Sequence, residues 1–584
     1  MSVANRSRST QLRRIVPGIS VLRTYKREWF RHDLVAGLVL TTLLVPQGMA
    51  YAGLAGLPPE TGLYTTAAAL LAYALFGPSR ILVVGPDSTL APIVFATLVA
   101  VAGTGADPAR AMALAGALAI LMGLICIAAG FAKLGIVAEL LSKPVRLGFL
   151  NGVALIIIAG QLPKLVGFAS QSASVPRELW SFAKGLAAGD ALLSTTVIGL
   201  ASLAIIVGCR HWAPRVPGVA LAVVGSIAAV GLLDLQRRGV VAVGTTPHGF
   251  PRLALPNVST RDLGNLIVDA TGLAFLALAD TSPVSRALAL KRGDHVDSSH
   301  EMVAIGASNI AAGLFHGFPV SGSASRTAVA ETNGARTQLT GVIGSAAILA
   351  ILVFANDLMS NLAIATLAAI LISAAFVLAD LPTLAWLAKV SRVELALSLV
   401  TTIGVAWLGP MRGLGVAVAL SVIDFLRRAW RPHSAVLGRI INRKGYHDLA
   451  RHPDAVLAPG LVLFRFDAPL FFANADHFAQ EIRAAIDDRP EPIRWVVLAA
   501  EPITDIDTTA AEMLGSLLDE LDSRSVTLVV AEMKGRVKDR LRLYGLADRI
   551  GEQYLYPTIG SAMKAYYRAI GLANPADDDE ATGP

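Results

Sequence analysis

The sequence predicts an α-helical polytopic membrane protein of about 14 membrane helices, followed by a C-terminal soluble α/β domain. Hydrophobic residues make up 54% of the 584 residues and charged residues only 16%, against about 25% charged residues in ordinary soluble proteins. Many stretches also approach, without a charge, the roughly 20 residues that a helix needs to cross a bilayer. These features exclude a soluble multidomain enzyme, a disordered scaffold and a nucleic-acid-binding protein.

The membrane helices are predicted from two sets of segments. Stretches without acidic or basic residues that qualify, or nearly qualify, as spans are 34–59, 111–132, 147–163, 191–209, 216–233, 337–356 and 358–379. Segments that need a tolerated charge or a break are 62–77, 86–101, 264–283, 301–317, 321–330, 394–408 and 413–426.

Basic residues predict the orientation of these spans. The residues before the first span include Arg6, Arg8, Arg13, Arg14, Arg23, Lys26, Arg27 and Arg31. Only Glu60 is charged in the first loop after it, so the positive-inside rule places the N-terminus in the cytoplasm. An even number of crossings returns the C-terminus to that side, which predicts a multi-pass protein of the cytoplasmic membrane. Because no continuous basic stripe exists, the net charge of +7 indicates orientation rather than nucleic acid.

After Trp430 the pattern becomes that of a soluble α/β domain. Short strands are predicted near 462–464, 495–499 and 526–530, with amphipathic helices near 475–487, 509–523 and 534–546. The predicted divisions are a basic cytoplasmic segment at 1–32, a membrane domain at 33–430, a linker at 431–442, the α/β domain at 443–572 and an acidic disordered tail at 573–584. The two cysteines, Cys126 and Cys209, indicate neither a disulfide framework nor a zinc site, and no cofactor or metal is expected.

Two pairs of breaks inside membrane segments are the most informative feature. In the first half, VPQG at 45–48 interrupts one predicted helix and VGPDS at 84–88 opens another. In the second half, ADTSP at 279–283 ends a span and FPVSGS at 318–323 opens a short helix. The same 39 residues separate Gln47 from Pro86 and Asp280 from Pro319. Matched breaks in two halves of a membrane protein indicate a transporter's binding site between inverted repeats.

Such a site favours anions. A helix that starts inside the membrane has unpaired N–H groups and about half a positive charge at that end. Hydroxyl side chains follow both prolines: Ser88 and Thr89 in one half, Ser321, Ser323 and Ser325 in the other. The alternative is that glycine, proline and serine only kink the helices, which is common in membranes.

Asp280 and Arg326 are charges at predicted membrane depth, where ionisable residues are costly and usually functional. They could instead form a structural ion pair. Two helix ends give about one positive charge and Arg326 another, which suits a dianion such as sulfate if Asp280 is neutral and a monoanion such as bicarbonate if it is ionised. Because burial disfavours the charged form of an acid, a proton bound together with the substrate is a plausible coupling mechanism.

These motifs resemble the sulfate permease (SulP) family of anion transporters. The matching residues are PQGMAYAGLAGLPP at 46–59 with Gly62, Leu63 and Tyr64, and Ser325-Arg326-Thr327 followed by GARTQL at 334–339. The resemblance covers about 33–572 and includes a C-terminal module similar to a STAS domain. It implies seven-plus-seven inverted repeats that form a core and a gate domain, and a homodimer.

The resemblance also implies roles for individual residues. Gln47 and Tyr51 on the first helix and Ser325 on the tenth would line the anion pocket. The two helix starts, independently of the resemblance, add Pro86, Asp87, Ser88 and Ser323 as candidate binding residues. Arg326 would supply positive potential. Asp280 falls where relatives have an acid linked to proton or sodium coupling. The sodium-coupled relatives have a threonine four residues later, where this chain has Val284; a valine offers no oxygen to a hard cation, so proton coupling is favoured.

In the soluble module, Asp507-Thr508-Thr509-Ala510 occupies the place of Asp-Ser-Ser-Gly in phosphorylatable relatives. Thr509 is therefore a candidate phosphate acceptor. The alternative, which we favour on the sequence alone, is that Thr508 or Thr509 is simply an N-cap.

Taken together, the sequence predicts a secondary active anion transporter, with proton-coupled sulfate uptake by alternating access as the favoured function. A bicarbonate or C4-dicarboxylate transporter is an alternative, and so, from a different class, is a membrane-anchored STAS sensor. An enzyme is not expected, because no HExxH, Walker A or nucleophile-elbow pattern occurs.

Overall fold

The computed structural model of the chain divides it into two compact units, Met1–Ser421 and Val422–Pro584. The residues that the structure describes are 17–18, 24–103, 105–133, 142–168, 175–213, 216–244, 249, 252–293, 296–440 and 443–572. Most of the predicted basic segment and the whole acidic tail at 573–584 therefore lie outside the described residues.

The first unit is helical, and its helices fall into two similar series. The first series is α1 (Trp29–Leu54), α2 (Pro59–Phe76), α3 (Ala91–Ala102), α4 (Pro108–Phe131), α5 (Lys143–Val166), α6 (Val175–Ala188), α7 (Leu193–Trp212) and α8 (Gly218–Leu232). The second series is α9 (Thr260–Arg292), α10 (Ser298–Leu314), α11 (Ala324–Thr332), α12 (Leu339–Phe354), α13 (Asn356–Met359), α14 (Ile364–Leu378), α15 (Leu381–Val390), α16 (Arg392–Leu408) and α17 (Pro410–Trp430), whose residues from Val422 onward belong to the second unit. A two-residue strand precedes the third helix of each series, β1 (Val84–Gly85) before α3 and β2 (Ser321–Gly322) before α11.

By length and composition, six described segments are apolar enough to cross a membrane: α1, α4, α5, α7, α9 and the segment Ile364–Val390 that contains α14 and α15. Helices α3, α8 and α12 are shorter but also apolar. The same unit exposes many large apolar side chains, such as Phe131, Trp212 and Phe354. An apolar surface of this extent is what a bilayer covers.

The helices of this unit pack into two bundles. Helices α1 to α4 pack with α9 to α12, whereas α5, α7 and α8 pack with α14 and α16. Each series thus contributes its first four helices to one bundle, here called the core bundle, and later helices to the other, here called the gate bundle. This division is the one that two repeats of the same architecture produce.

Glycines allow the core helices to approach closely. On α4 and α10, Gly123 faces Gly306 and Gly116 faces Gly313, and an added Cβ at any of the four would lie 3.0 Å or less from the facing glycine's carbonyl oxygen. Small residues at such contacts are the usual means of packing membrane helices without a hydrophobic driving force.

Two predicted breaks are real and two are not. Strands β1 and β2 interrupt the helices at Val84 and Ser321, as the sequence predicts. The predictions at 45–48 and 279–283 are wrong, because α1 continues through Pro46 and α9 continues through Pro283. A proline inside a membrane helix removes one backbone hydrogen bond but is tolerated when neighbouring helices and hydroxyl side chains satisfy the freed groups.

The second unit contains a six-stranded sheet. The strands are β3 (Ser434–Arg439), β4 (Tyr446–Asp448), β5 (Leu461–Phe466), β6 (Trp495–Ala499), β7 (Thr527–Ala531) and β8 (Leu555–Tyr556), in the order β4-β3-β5-β6-β7-β8. The helices are α18 (Ala475–Asp487), α19 (Thr508–Ser523), α20 (Gly535–Leu543), α21 (Leu546–Ile550) and α22 (Ile559–Ala569). Strands β5 to β8 are parallel, whereas β3 is antiparallel to both β4 and β5.

Both faces of the sheet are buried. Alternate residues of β5, such as Phe464 and Phe466, pack with α18 to α21, and the residues between them, such as Leu463, pack with α22. The prediction of a linker at 431–442 is corrected, because Ser434–Arg439 within it forms strand β3 of the sheet. The strand escaped prediction because Ser434, Gly438 and Arg439 interrupt the apolar pattern by which strands are recognised.

Candidate anion and proton site

The site lies where β1 and β2 cross inside the core bundle. The strands are antiparallel, with Val84 opposite Gly322 and Gly85 opposite Ser321. Helix α3 begins at Ala91 and α11 at Ala324, each five residues after the proline of its segment, Pro86 or Pro319. Two short helices therefore start from one crossing within the membrane unit, which brings their unpaired N–H groups to the same region.

Buried amide side chains hold the segments that lead into this crossing. The Asn309 side chain accepts from the Val320 N–H at 2.9 Å and donates to the Val320 carbonyl at 3.0 Å. Gln338 Nε2 donates to the carbonyls of Ser79 and Leu82 at 2.9 and 3.0 Å. Each interaction fixes backbone that has no helical partner, so the crossing is rigidly positioned.

Arg326 is the buried cation of the site. Only 2% of its side chain is exposed. Its Nη2 donates to the Gly85 carbonyl at 3.3 Å and lies 3.9 Å from Asp87 Oδ1. Ser323 caps α11 by accepting from the Arg326 N–H at 3.4 Å. The guanidinium thus reaches from α11 across the strands to the segment before α3.

Asp87 and Thr89 form the turn that leads into α3. Asp87 Oδ2 accepts from the Thr89 N–H at 3.0 Å and from Thr89 Oγ1 at 2.6 Å. Thr89 Oγ1 also lies 3.2 Å from Asp280 Oδ2 on α9. The sequence identifies Thr89 as one of the hydroxyl groups at the helix start, but it does not reveal this contact with Asp280.

Asp280 pairs with an arginine that the sequence does not single out. Its Oδ1 lies 3.3 Å from Nη2 of Arg146, which is on α5 of the gate bundle. The sequence leaves open a structural ion pair between Asp280 and Arg326. Among the described residues, these two side chains form no ion pair with each other. The sequence does not identify Arg146 as a site residue, because it lies just before the uncharged run 147–163, in a position typical of a residue outside the membrane.

The other predicted pocket residues differ in how deeply they are buried. Tyr51 is buried and lies within electrostatic range of Asp87 and Arg326. Pro86 and Ser88 are buried, and Gln47 is half-buried. Ser323 Oγ lies 3.2 Å from Ser325 Oγ, and Ser325 is exposed. All eight predicted binding residues are on α1, on α11 or its N-cap, or in the segment before α3.

Three further hydroxyl and carboxyl groups hold the core bundle around the site. Thr281 Oγ1 accepts from the Gly322 N–H at 2.9 Å, and Thr327 Oγ1 accepts from the Val83 N–H at 3.0 Å. Glu301 is buried and accepts from Tyr73 Oη and Ser285 Oγ, each at 2.6 Å. A lone hydroxyl or carboxyl residue within an apolar run is the sequence signal for such groups. That signal does not identify their partners, which are distant in sequence.

In the α/β unit, the start of α19 corrects one prediction. Asp507, rather than Thr508 or Thr509, is the N-cap: its Oδ1 accepts from the Ala510 N–H at 2.8 Å, and its Oδ2 from the Phe472 N–H at 2.8 Å. Aspartate is at least as good an N-cap as threonine, and it comes first along the chain. Thr508 and Thr509 are exposed. Thr509 as a phosphate acceptor stays a prediction.

Comparison with known sequences assigns both parts of the chain. Residues 30–401 match the sulfate permease family, and residues 452–562 match the STAS domain. A Mycobacterium tuberculosis protein named probable sulfate transporter is 41% identical over 552 residues, which cover 94% of this chain and 98% of that protein. Sulfate transporter 3.1 of Arabidopsis thaliana is 28% identical over 587 residues, which cover 95% and 88% of the two chains.

Solved structures confirm the predicted fold. The inward-facing murine Solute Carrier 26 family member A9 anion transporter matches with a TM-score of 0.85 at 23% identity, over 95% of this chain and 94% of that chain. The transmembrane domain of the cyanobacterial bicarbonate transporter BicA matches with a TM-score of 0.59 at 24% identity, over 68% and 98%. A helical membrane domain followed by a STAS domain is thus confirmed. This chain belongs to the sulfate permease family.

Proposed function

We propose that the protein takes up sulfate together with protons by alternating access. The observation that carries this proposal is the buried crossing at which two helix starts and Arg326 meet the carboxyl groups of Asp87 and Asp280. Cationic groups provide a place for an anion, and a buried acid provides a place for a proton. Sulfate is favoured because the relatives that are similar over nearly the whole chain are named sulfate transporters.

The charges of the site agree with a dianion and one proton. The two helix N-termini contribute about half a positive charge each. Arg326 and Arg146 add two positive charges, and Asp87 and Asp280 two negative ones when both are ionised. The total is then about +1, which suits a monoanion, and it rises to about +2 when one acid binds a proton. Asp87 and Arg146, which the charge balance drawn from the sequence does not include, carry opposite charges, so that balance is unchanged.

A proton suits this site better than a sodium ion. Sodium is a hard cation that requires several oxygen ligands. One carboxylate oxygen of Asp280 already faces the Arg146 guanidinium at 3.3 Å, and the residue four positions later is Val284. A sodium ion at this carboxylate would need several further oxygen ligands, whereas a proton would need none.

We further infer a multi-pass protein of the cytoplasmic membrane with both termini in the cytoplasm, from the excess of basic residues before the first span. A homodimer, which the family implies, also stays a prediction.

The proposed coupling is tested by labelled sulfate uptake into proteoliposomes. We expect uptake to rise with an inward proton gradient in the wild type and to lose that dependence in Asp280→Asn, which cannot exchange a proton. Asp269→Asn is a matched control, because Asp269 is also on α9 but hydrogen bonds to Thr97, away from both arginines. Uptake that ignores the gradient in the wild type would contradict proton coupling.

The alternative substrates are bicarbonate and C4-dicarboxylates. Competition of unlabelled sulfate, bicarbonate and fumarate against one labelled tracer distinguishes them, and we expect sulfate to compete most strongly. A membrane-anchored STAS sensor would show no flux of any of these anions. The sensor function is less favoured, because a membrane anchor gains nothing from two helices that start inside the membrane.

A further inference from the structure

Thr89 lies between two acids, and each acid has an arginine on its other side. Thr89 Oγ1 is 2.6 Å from Asp87 Oδ2 and 3.2 Å from Asp280 Oδ2. The remaining oxygen of Asp87 faces Arg326 at 3.9 Å, and that of Asp280 faces Arg146 at 3.3 Å. Five side chains therefore form a row that runs from α11 to α5, with a hydroxyl at its centre.

The Thr89 hydroxyl carries too few hydrogen atoms to donate to both acids if both are ionised. A threonine hydroxyl carries one hydrogen, whereas an ionised carboxylate only accepts hydrogen bonds. Thr89 can donate fully to one carboxylate, and the contact with the other is then satisfied only if that carboxyl carries a proton and donates to Oγ1. The geometry thus matches two acids that share one additional proton.

We propose that the Thr89 hydroxyl relays the coupling proton between Asp280 and Asp87. In this step Oγ1 accepts the proton of one carboxylic acid as it gives its own hydrogen to the other carboxylate. The threonine ends unchanged, one acid becomes ionised and the other neutral. The inference rests on the proton coupling proposed above and adds a residue and a second acid to it.

The relay would link the proton to the anion. A proton on Asp280 neutralises the acid that faces Arg146 on the gate bundle, whereas a proton on Asp87 neutralises the acid that faces Arg326 at the proposed anion site. Passing the proton from Asp280 to Asp87 therefore releases Arg326 from its counter-ion. Among the described residues, Tyr51 on α1 is also titratable and lies within electrostatic range of Asp87 and Arg326.

A purely structural role explains only half of the arrangement. Thr89 donates to Asp87 through both its N–H and its hydroxyl, which is a common local turn at the start of a helix. Such a turn does not require the second acid, from α9, on the same hydroxyl. The test must therefore separate loss of the turn from loss of the relay.

The test compares Thr89→Val, Thr89→Ser and Thr97→Val in proteoliposomes. Valine has the shape of threonine without the hydroxyl, and serine keeps the hydroxyl. Thr97→Val is the matched control, because Thr97 also donates from α3 to an acid on α9, Asp269, at 2.7 Å. The measured quantity is the ratio of sulfate uptake with an inward proton gradient to uptake without one.

We expect this ratio to fall to unity in Thr89→Val and to keep the wild-type value in Thr89→Ser and Thr97→Val. A wild-type ratio in Thr89→Val would overturn the relay while leaving proton coupling intact. A wild-type ratio of unity would overturn the proposed coupling and the relay together.

Infrared spectroscopy of the purified protein tests the shared proton without transport, in case Thr89→Val does not fold. We expect the band of a protonated carboxyl in the wild type and its loss in Asp87→Asn, because Asp280 without a neighbouring acid then stays ionised beside Arg146. A band of unchanged intensity in Asp87→Asn would assign the proton to another acid and overturn the proposal.

Discussion

The starts of α3 and α11 have the same architecture and opposite charge. Both helices begin five residues after a proline, and both follow strands of one antiparallel crossing. The turn before α3 carries the acid Asp87, whereas the first turn of α11 carries Arg326. Backbone geometry is therefore common to the two halves, and side chains decide what each half binds.

This difference suggests a division of labour within the site. The N–H groups and dipoles of both helix starts attract anions equally. Asp87 cancels part of that attraction on the α3 side and connects through Thr89 to Asp280, whereas Arg326 adds to it on the α11 side. We infer that the α11 side supplies anion affinity and the α3 side supplies proton coupling.

Arg326→Ala should have the largest effect, because it removes the buried cation and leaves Asp87 without its counter-ion. We expect at least about a tenfold loss of sulfate affinity, which corresponds to about 1.4 kcal/mol. Sulfate titration of the purified protein measures it. Asp87→Asn should act in the opposite direction and tighten sulfate binding, because it removes the competing negative charge. Equal affinities in both variants and the wild type would contradict the division of labour.

The sequence predicts the crossing well and its electrostatics only in part. Pro86 and Pro319 predict the interrupted helices because glycine, proline and serine around them break the helical pattern locally. Pro46 and Pro283 carry similar local signals, yet α1 and α9 continue through them. Tertiary packing decides whether a membrane helix survives a proline, and a single sequence contains no direct record of that packing.

The charge partners were beyond prediction for a related reason. Arg146 and Asp280 are 134 positions apart in sequence, and their contact joins helices of two different bundles. In contrast, Asp87 and Thr89 are nearly adjacent, and the sequence places both at one helix start. Local interactions can thus be predicted from the pattern, whereas interactions that depend on how the bundles meet require the structure.

Alanine substitution at Gly85 or Gly322 should separate the functions of the α3 side and the α11 side, because these glycines occupy the two strands of the crossing. A Cβ at Gly85 would lie 2.9 Å from Arg326 Nη1, whereas a Cβ at Gly322 would lie 2.8 Å from Thr281 Cγ2. Overpacking of this kind costs about 1–3 kcal/mol. We expect Gly85→Ala to weaken sulfate affinity severalfold by displacing Arg326.

Gly322→Ala should instead change the response to the proton gradient, because Thr281 is the neighbour of Asp280. Sulfate titration and the uptake ratio, measured on both variants, separate the two effects. If the variants lost affinity to the same extent and kept the same uptake ratio, the two strands would not have distinct functions.

The smallest effect on sulfate binding is expected for Asn309→Ala and Gln338→Ala, which remove the amides that hold the backbone before each strand and act mainly on stability. An unsatisfied buried polar group costs about 1–3 kcal/mol. Asn309 satisfies both the N–H and the carbonyl of Val320, whereas Gln338 satisfies only carbonyls, those of Ser79 and Leu82. Buried N–H groups without a partner are rarer in proteins than under-satisfied carbonyls.

Asn309→Ala should therefore lower the thermal unfolding midpoint more than Gln338→Ala does. Ser308→Ala is the control, since the Ser308 hydroxyl donates only to the Ala304 carbonyl of its own helix. Asn309 holds Val320, which lies directly before β2 and a few residues before Arg326. Loss of the Asn309 amide should therefore also reduce the stabilisation of the protein by sulfate. Gln338 holds Ser79 and Leu82, which lie before β1 on the α3 side. Gln338→Ala should therefore keep more of the stabilisation by sulfate than Asn309→Ala does. The reverse order of the two variants would contradict the assignment of anion affinity to the α11 side.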